Sequence, residues 1–244
     1  MSTSGELIER IRGDYLDDEV GVDEDYAMVS DTTLYRFINE AQRESCRRMD
    51  LIFDDFTTAV CSITLADGTR SYQLHKAITK LERVSYNGVE LTKMTMDELD
   101  YSNPSWREQT GVPTQYVVRQ RKIYPVPSPG ADQDTDLLSL EVYREPLVVI
   151  EDDQDLEIPD EFHEDLIPWV LFRVYHKRDE DIFDPEKGKV HLAEFIERFG
   201  DTVPAHVRMH QFENPPVTTL RGNKGYSMTG NLSMSEEVTE DSDW

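Results

Sequence analysis

The sequence FHEDLIPW, residues 162–169, begins like the zinc-binding motif HExxH. In that motif two His side chains four residues apart bind Zn²⁺ from one helical face, while the Glu acts on the metal-bound water. Here Ile167 occupies the position of the second His, and an aliphatic side chain cannot bind a metal. Pro168 also removes a backbone N–H donor from any helix that continues through this stretch. We therefore predict no zinc site at His163.

Other sequence signals for catalysis are weak or missing. The chain has no GxSxG motif, no Gly-rich phosphate loop and no dinucleotide-binding fingerprint. His206 and His210 are four residues apart, but they follow Pro204 in a stretch without helical periodicity. Acidic pairs such as Asp54 with Asp55 are expected on solvated surfaces, because acidic residues are so frequent in this chain. We predict no catalytic, cofactor-binding or metal-binding residue and no cofactor.

The composition is strongly acidic, with 25 Lys and Arg against 50 Asp and Glu, a formal net charge of −25. This charge repels DNA phosphates and anionic lipids, so it disfavours tight binding to either. It is compatible with a conduit along which DNA slides. Cys46 and Cys61 lack CxxC spacing and are predicted to be buried free thiols. Because no apolar signal sequence or membrane-length apolar run is present, we expect folding in the cytosol.

The N-terminal segment, residues 1–56, is predicted to be helical. We expect ELIERIRGDYL to form a short helix that ends near Gly13, and the acidic DDEVGVDEDY after it to form a loop. Ser30 and Asp31 are suitable N-caps for a long helix. Apolar and small residues then recur at helical spacing, at Leu34, Phe37, Ile38, Ala41 and Ser45.

The central segment, residues 57–150, is predicted to be antiparallel β structure with one short helix. FTTAVCSITLADGTRSYQL alternates as a hairpin around ADGT, and KLERVSYNGVELTKM forms a second hairpin around Asn87-Gly88. MDELDYS predicts a short helix that Pro104 ends. QYVVRQRKIYPVP and LLSLEVYREPLVVI predict further strands.

Helical periodicity returns in residues 151–200, which we expect to pack with the N-terminal helices. Pro159 suits a first helical position, and Pro168 should bend the helix near its second turn. The core-facing stripe of this helix is Phe162, Leu166, Val170 and Val174, flanked by Ile167, Leu171 and Tyr175. Trp169 is interpreted as a packing or interface residue. A second helix carries Val190, Phe195, Ile196 and Phe199 and ends at Gly200.

Residues 201–244 lack periodicity and are predicted to be an extended arm. A polar segment interrupted by Pro and Gly cannot offset an ordering cost of roughly 1–2 kcal/mol per residue by itself. We therefore expect it to become ordered against other proteins, with solvent-exposed disorder as the alternative. The expected partner-binding anchors are the spaced apolar residues Phe212, Leu220, Tyr226, Met228, Leu232 and Trp244.

Between about residues 30 and 200 the chain resembles the adaptor proteins of tailed-bacteriophage head-to-tail connectors. The resemblance follows the order of INEAQRE, TGVPTQYVVRQRKIYPVPSP, LEVYREPLVVI and IPDEFHEDLIPWVLFRVY. Its most specific positions are Gly111, Pro113 and Tyr116, then Ile123, Tyr124, Pro125 and Pro127, and finally Ile158, Pro159, Asp160 and His163. These are structural and not catalytic positions. The residues after the last helix vary in the family, so the resemblance implies nothing about residues 201–244.

The resemblance implies a ring, usually dodecameric, that binds the portal protein, joins it to tail proteins such as a terminator, tube or nozzle, and lets DNA pass. A virion location follows, at the head–tail neck, after synthesis in the host cytoplasm. Together with the residue patterns, it gives an α+β fold with terminal helical segments, a central antiparallel β insertion and an extended C-terminal arm. The alternatives are an acidic cytosolic partner-binding or DNA-mimic protein, and a metal hydrolase centred on His206 and His210.

Overall fold

Helices from both ends of the chain pack together beside a β region, in the α+β fold that the sequence predicts. This computed structural model describes residues 3–16, 28–178 and 182–213. The helices are α1 Ser4–Arg10, α2 Asp31–Arg48, α3 Thr58–Cys61, α4 Met96–Ser102, α5 Ile167–Tyr175, α6 Pro185–Phe199 and α7 Ala205–Glu213. The strands are β1 Ile52–Asp54, β2 Ser62–Thr64, β3 Tyr72–Gln73, β4 Ile78–Tyr86, β5 Val89–Glu90, β6 Thr92–Lys93, β7 Gln115–Arg119, β8 Lys122–Val126 and β9 Leu137–Arg144. Within the described ranges, no helix is both long and apolar enough to cross a membrane.

The helical core forms where α1, α2, α5 and α6 meet. On α2, the predicted inward-facing residues are all buried, namely Leu34, Phe37, Ile38, Ala41 and Ser45. On α6, Phe195 and Phe199 are buried as predicted, but Val190 is 58% exposed and does not belong to the stripe. The predicted stop at Gly200 is confirmed by its φ of +79°, a left-handed conformation that suits glycine.

The first helix begins as a capped helix and extends further than predicted. The Thr3 hydroxyl accepts a hydrogen bond from Glu6 N, and the Glu6 carboxylate accepts one from Thr3 N. The expected end near Gly13 is wrong, because the backbone continues as a π-helical turn, Ile11–Leu16. The first and last side chains of this turn are buried in the helical core, which holds the turn in place. The acidic DDEVGVDEDY after it, predicted to be a loop, lies outside the described residues.

The helix predicted to start at Pro159 starts later, at Ile167. Two 3-10 turns, Asp160–Phe162 and Glu164–Leu166, occupy the intervening chain. The predicted bend at Pro168 is wrong, because Pro168 lies in the first turn of α5, where a missing N–H breaks no helical hydrogen bond. Of the predicted stripe and its flanks, five residues are buried as expected, namely Leu166, Ile167, Val170, Leu171 and Val174. Phe162 and Tyr175 are only partly buried against the helical core.

Two sheets form the β region. The first has the strand order β1-β9-β4-β5, with β2 also paired to β9, and all of its pairs are antiparallel. The second has the order β3-β8-β7-β6, in which β6 and β7 are parallel. The antiparallel prediction therefore holds for every pair except β6 with β7. The short helix α4 occupies MDELDYS, as predicted.

Of the two predicted hairpins, only the second forms. Asn87 and Gly88 connect β4 to β5 with φ values of +50° and +77°, the left-handed conformations of a type I′ turn. The hairpin around ADGT is wrong, because β2 pairs with β9 and β3 pairs with β8. Hydrogen bonds from Gly68 N to Pro129 O and from Leu65 N to Asp136 O connect this stretch to a distant loop.

The predicted arm begins with a helix. Residues Ala205–Glu213 are helical and not extended, because Phe212 is buried in the β core and this contact holds the helix there. Residues 214–244 lie outside the described part of the chain. The division into segments 1–56, 57–150, 151–200 and 201–244 stays a prediction.

Candidate interaction surfaces

His163 is a packing residue in the described structure. Its side chain is 2% exposed, and Nε2 lies 2.9 Å from the carbonyl oxygen of Ile158. Glu164 points elsewhere, in an ion pair with Arg10. Ile167, at the position of the missing second His, is buried in the helical core. The stretch that resembles HExxH thus forms the entry to α5.

Replacing His163 with Ala is expected to lower the free energy of unfolding by about 1–3 kcal/mol, because the buried Ile158 carbonyl loses its partner. Zinc content should not change. Urea denaturation and elemental analysis would measure the two quantities, with His206→Ala on an exposed site as the control. Stoichiometric zinc that disappears in His163→Ala would contradict this reading.

The described residues contain no cluster of three or more His, Cys, Asp or Glu that could hold a metal ion. His206 and His210 lie one turn apart on α7, so the expectation of irregular backbone there is wrong. Both side chains are exposed. Two imidazoles alone do not make a structural or catalytic zinc site.

Both cysteines are buried free thiols, as predicted. Burial raises the pKa of Cys46 and of Cys61 to about 12. The thiolate is the reactive form of cysteine, so neither side chain is suited to nucleophilic or redox chemistry.

A buried ionic network lies where β1 pairs with β9. Asp54 is fully buried and forms an ion pair with Arg144, which also donates a 2.6 Å hydrogen bond to Glu157. The expectation that Asp54 is solvated like Asp55 is wrong, because the alternation of β1 turns Asp54 inward and Phe53 outward. Burial by itself would raise the pKa of Asp54, but hydrogen bonds from Thr57, Arg144 and Phe56 outweigh it and hold the pKa well below its usual range.

This network supports two exposed apolar loops. Asp54 Oδ1 accepts hydrogen bonds from Phe56 N and Thr57 N. Glu157 Oε1 accepts them from Leu147 N and Val148 N, at 2.7 and 2.6 Å. These loops expose Phe56, which is 78% exposed, together with Leu147, Val148 and Val149, and Phe53 is exposed on the adjoining strand β1. We name these five residues the apolar loops. Exposed apolar groups on well-held backbone are typical of protein interfaces.

Helix α7 is fixed at the tip of the β7–β8 hairpin. The Phe212 ring lies 5.1 Å from the guanidinium carbon of Arg121, and its carbonyl accepts a hydrogen bond from Lys93 Nζ. Gln120 N donates a 2.7 Å hydrogen bond to Glu213 Oε1. Gln120 and Arg121 both have positive φ, which is unfavourable for residues with a Cβ, so the contacts with α7 support this turn. Burial lowers the pKa of Lys93 to about 8.

A cavity of about 740 Å³ opens between the end of α2, the start of β4, the hairpin tip and α7. Its basic lining residues are Arg47, Arg48, Lys76, Lys80, Arg121 and Arg208, and its acidic ones are Asp50 and Glu145. Its apolar lining residues are Ile78, Val203, Ala205, Met209 and Phe212. We name this site the basic cavity.

Arg48 connects the basic cavity to the helical core. It forms an ion pair with Glu44 and donates hydrogen bonds to Gly200 O and Thr202 Oγ1. Its guanidinium also lies over the rings of Trp169 and Phe195. Trp169 therefore packs within the chain. This agrees with the first of the two roles expected from sequence, a packing or an interface residue.

Only one of the six predicted anchors, Phe212, lies within the described residues. Phe212 packs into the chain's own β core, which explains its position without a partner. Its assignment as a partner-binding residue stays a prediction, as do those of Leu220, Tyr226, Met228, Leu232 and Trp244, which lie outside the described residues. The basic cavity was missed from sequence because its residues come from five separate stretches of the chain.

Comparison with known proteins identifies the family. A family model described as SU10 adaptor protein matches residues 2–219, which includes α7 and all the elements before it. No curated protein matches the chain. The match extends the resemblance seen in residues 30–200 to most of the sequence. The chain therefore belongs to the SU10 adaptor protein family, a family of phage adaptor proteins.

Proposed function

We propose that this protein is a non-enzymatic structural connector of a tailed-phage virion. Copies of the chain form a closed ring, dodecameric in the family pattern, that joins the portal protein to the tail at the head–tail neck. Genomic DNA passes through the centre of the ring and leaves through it during ejection. The observation that carries this proposal is the family match over residues 2–219.

The apolar loops support a role in subunit contact. They expose five large apolar side chains, while their backbone N–H groups are held by the carboxylates of Asp54 and Glu157. Interfaces bury such apolar groups at their centre, and a fixed backbone reduces the entropy lost on binding. We assign the apolar loops to the contact between neighbouring copies or with the portal.

The residues after α7 supply the second contact in this proposal. Residues 214–244 contain the predicted anchors Leu220, Tyr226, Met228, Leu232 and Trp244. Spaced apolar side chains of this kind can fill separate pockets on another protein. In the assembled connector they bind neighbouring copies, portal or tail proteins.

The proposal is tested by mixing the purified chain with purified portal protein and imaging the product by negative stain. Rings attached to portal are expected for the native chain. Val148→Glu, which places a charge on the apolar loops, should reduce the attached rings, whereas Lys189→Glu on the exposed face of α6 should not. A small oligomer that ignores portal and binds a basic protein would support the DNA-mimic alternative and overturn the proposal.

The net charge of −25 predicts weak affinity for duplex DNA. A conduit for a polyanion should not hold it, and the acidic side chains oppose the approach of phosphates. Fluorescence anisotropy with a labelled duplex at about 0.15 M salt should show no binding at submicromolar protein. Submicromolar affinity under these conditions would contradict a freely sliding DNA path.

A further inference from the structure

The basic cavity has a charge opposite to that of the whole chain. Its lining contains six Lys or Arg residues and two acidic residues, in a protein whose formal net charge is −25. Such a concentration of one charge in a concave site attracts ligands of the opposite charge. The lining also has an apolar part, so a matching ligand would combine carboxylates with apolar side chains.

Three of the six cations have no carboxylate partner within the described part of the chain. Arg47, Arg48 and Lys80 form ion pairs there. By contrast, no carboxylate in the described ranges pairs with Lys76, Arg121 or Arg208. The guanidinium of Arg121 is directed instead to three carbonyl oxygens, those of His75, Lys76 and Ile78. The cavity can therefore accept several negative charges without displacing an existing ion pair.

A segment with the matching chemistry follows α7 in the same sequence. Residues 232–244, LSMSEEVTEDSDW, contain five acidic residues, no Lys or Arg, and the apolar residues Leu232, Met234, Val238 and Trp244. We name this stretch the acidic segment. Between it and Glu213 lie residues 214–231, so the chain from 214 to 244 can extend to about 100 Å. A chain of this size has a radius of gyration of about 18 Å, so the acidic segment can reach a neighbouring copy.

We propose that the basic cavity of one copy binds the acidic segment of a neighbouring copy. This inference rests on the proposed ring, because each copy then carries one donor segment and one acceptor cavity. Head-to-tail contacts of that kind close into a ring when the rotation between copies allows it. The carboxylates meet Lys76, Arg121 and Arg208, while the apolar side chains cover Ala205 and Met209, the exposed apolar residues of the lining.

Binding is tested with a fluorescein-labelled peptide of residues 232–244. The acceptor is the full chain with its own acidic segment neutralised by Glu236→Gln, Glu237→Gln, Glu240→Gln, Asp241→Asn and Asp243→Asn. We expect saturable binding of the peptide to this acceptor. Adding Lys76→Glu and Arg208→Glu to the acceptor should weaken its affinity for the peptide at least tenfold, whereas adding Lys189→Glu should leave the affinity unchanged. Melting curves would verify that each variant is folded. The proposal would be overturned if the peptide did not bind the intact cavity, or if a peptide with its five acidic residues changed to the corresponding amides bound equally well. Complete displacement of the peptide by stoichiometric duplex DNA would also overturn it.

Disulfide trapping identifies which copy supplies the segment. Lys76→Cys is placed in one full-length chain and Ser242→Cys in another, and the two are mixed and oxidised. The native thiols are buried and have raised pKa values, so they should not compete. A disulfide-linked pair containing one chain of each kind is expected. A cross-link that forms only within a single chain carrying both substitutions would overturn docking between copies.

Attachment to portal separates this inference from the proposed function. If the Lys76→Glu, Arg208→Glu chain forms native rings on portal and no peptide binds the intact cavity, the inference fails and the connector function stands. If peptide binding and the cross-link between copies are observed but no ring attaches to portal, the cavity assignment stands and the connector function fails.

Discussion

Replacing Asp54 with Ala should lower the free energy of unfolding by about 3–5 kcal/mol, because it leaves the buried Arg144 guanidinium without its closest partner. Asp54 is fully buried, and its carboxylate also accepts hydrogen bonds from Phe56 N and Thr57 N. The exposed neighbour Asp55 provides a matched control, since Asp55→Ala should change stability by less than about 0.5 kcal/mol. Urea denaturation of both variants would measure the difference. Equal stabilities would show that the network contributes nothing.

The same carboxylate predicts a pH dependence. The pKa of Asp54 is lower in the folded chain than its unfolded value of about 3.9, so its contribution to stability is fully present above about pH 5. That contribution is lost progressively as the pH falls from about 5 toward the folded pKa. Asp54→Asn should therefore show a smaller loss of stability over this acidic range than the native chain. A denaturation series from pH 5 downward would test it, and parallel curves would contradict the assignment.

Replacing Phe212 with Ala should release α7 and lower the stability by about 3 kcal/mol. The ring is 7% exposed and belongs to the β core, and its removal also takes away the surface on which the Arg121 guanidinium lies. Helix α7 has only nine residues, so it has little stability of its own once this contact is lost. Hydrogen exchange should show α7 unprotected in the variant.

Met209→Ala is the control for this experiment, because Met209 lies on the same helix but is 43% exposed. It should change the stability by less than about 1 kcal/mol. Truncation provides a second comparison: a chain ending at Gly200 should lose the stabilisation of Phe212, whereas a chain ending at Glu213 should keep it. Identical melting temperatures for the two truncated chains would contradict the role of α7.

Elements defined by neighbouring residues were predictable from sequence, and those defined by distant partners were not. The Asn87-Gly88 turn and the stripe of α2 depend on local backbone preference and local periodicity, so both are as predicted. The ADGT stretch has the same local appearance as a hairpin. Its strands nevertheless pair with β8 and β9, which begin at Lys122 and Leu137, and nothing nearby in sequence indicates this.

The candidate sites show the same limit. Asp54 and Asp55 are identical in type and adjacent, and only the pairing of β1 with β9 distinguishes a buried residue from an exposed one. At His163 the HExxH pattern is incomplete because of one residue four positions away, Ile167, so a local pattern is enough to judge the motif. The basic cavity required the relative placement of α2, β4, the hairpin tip and α7, which no local pattern encodes.

The ionic network also gives the two apolar loops a common mechanical support. A load that pulls Leu147 and Val148 outward acts on the Glu157 carboxylate, which is joined through Arg144 to Asp54 and so to the backbone of Phe56. A displacement of one loop is therefore passed through these ion pairs to the other, and we expect the two loops to move together.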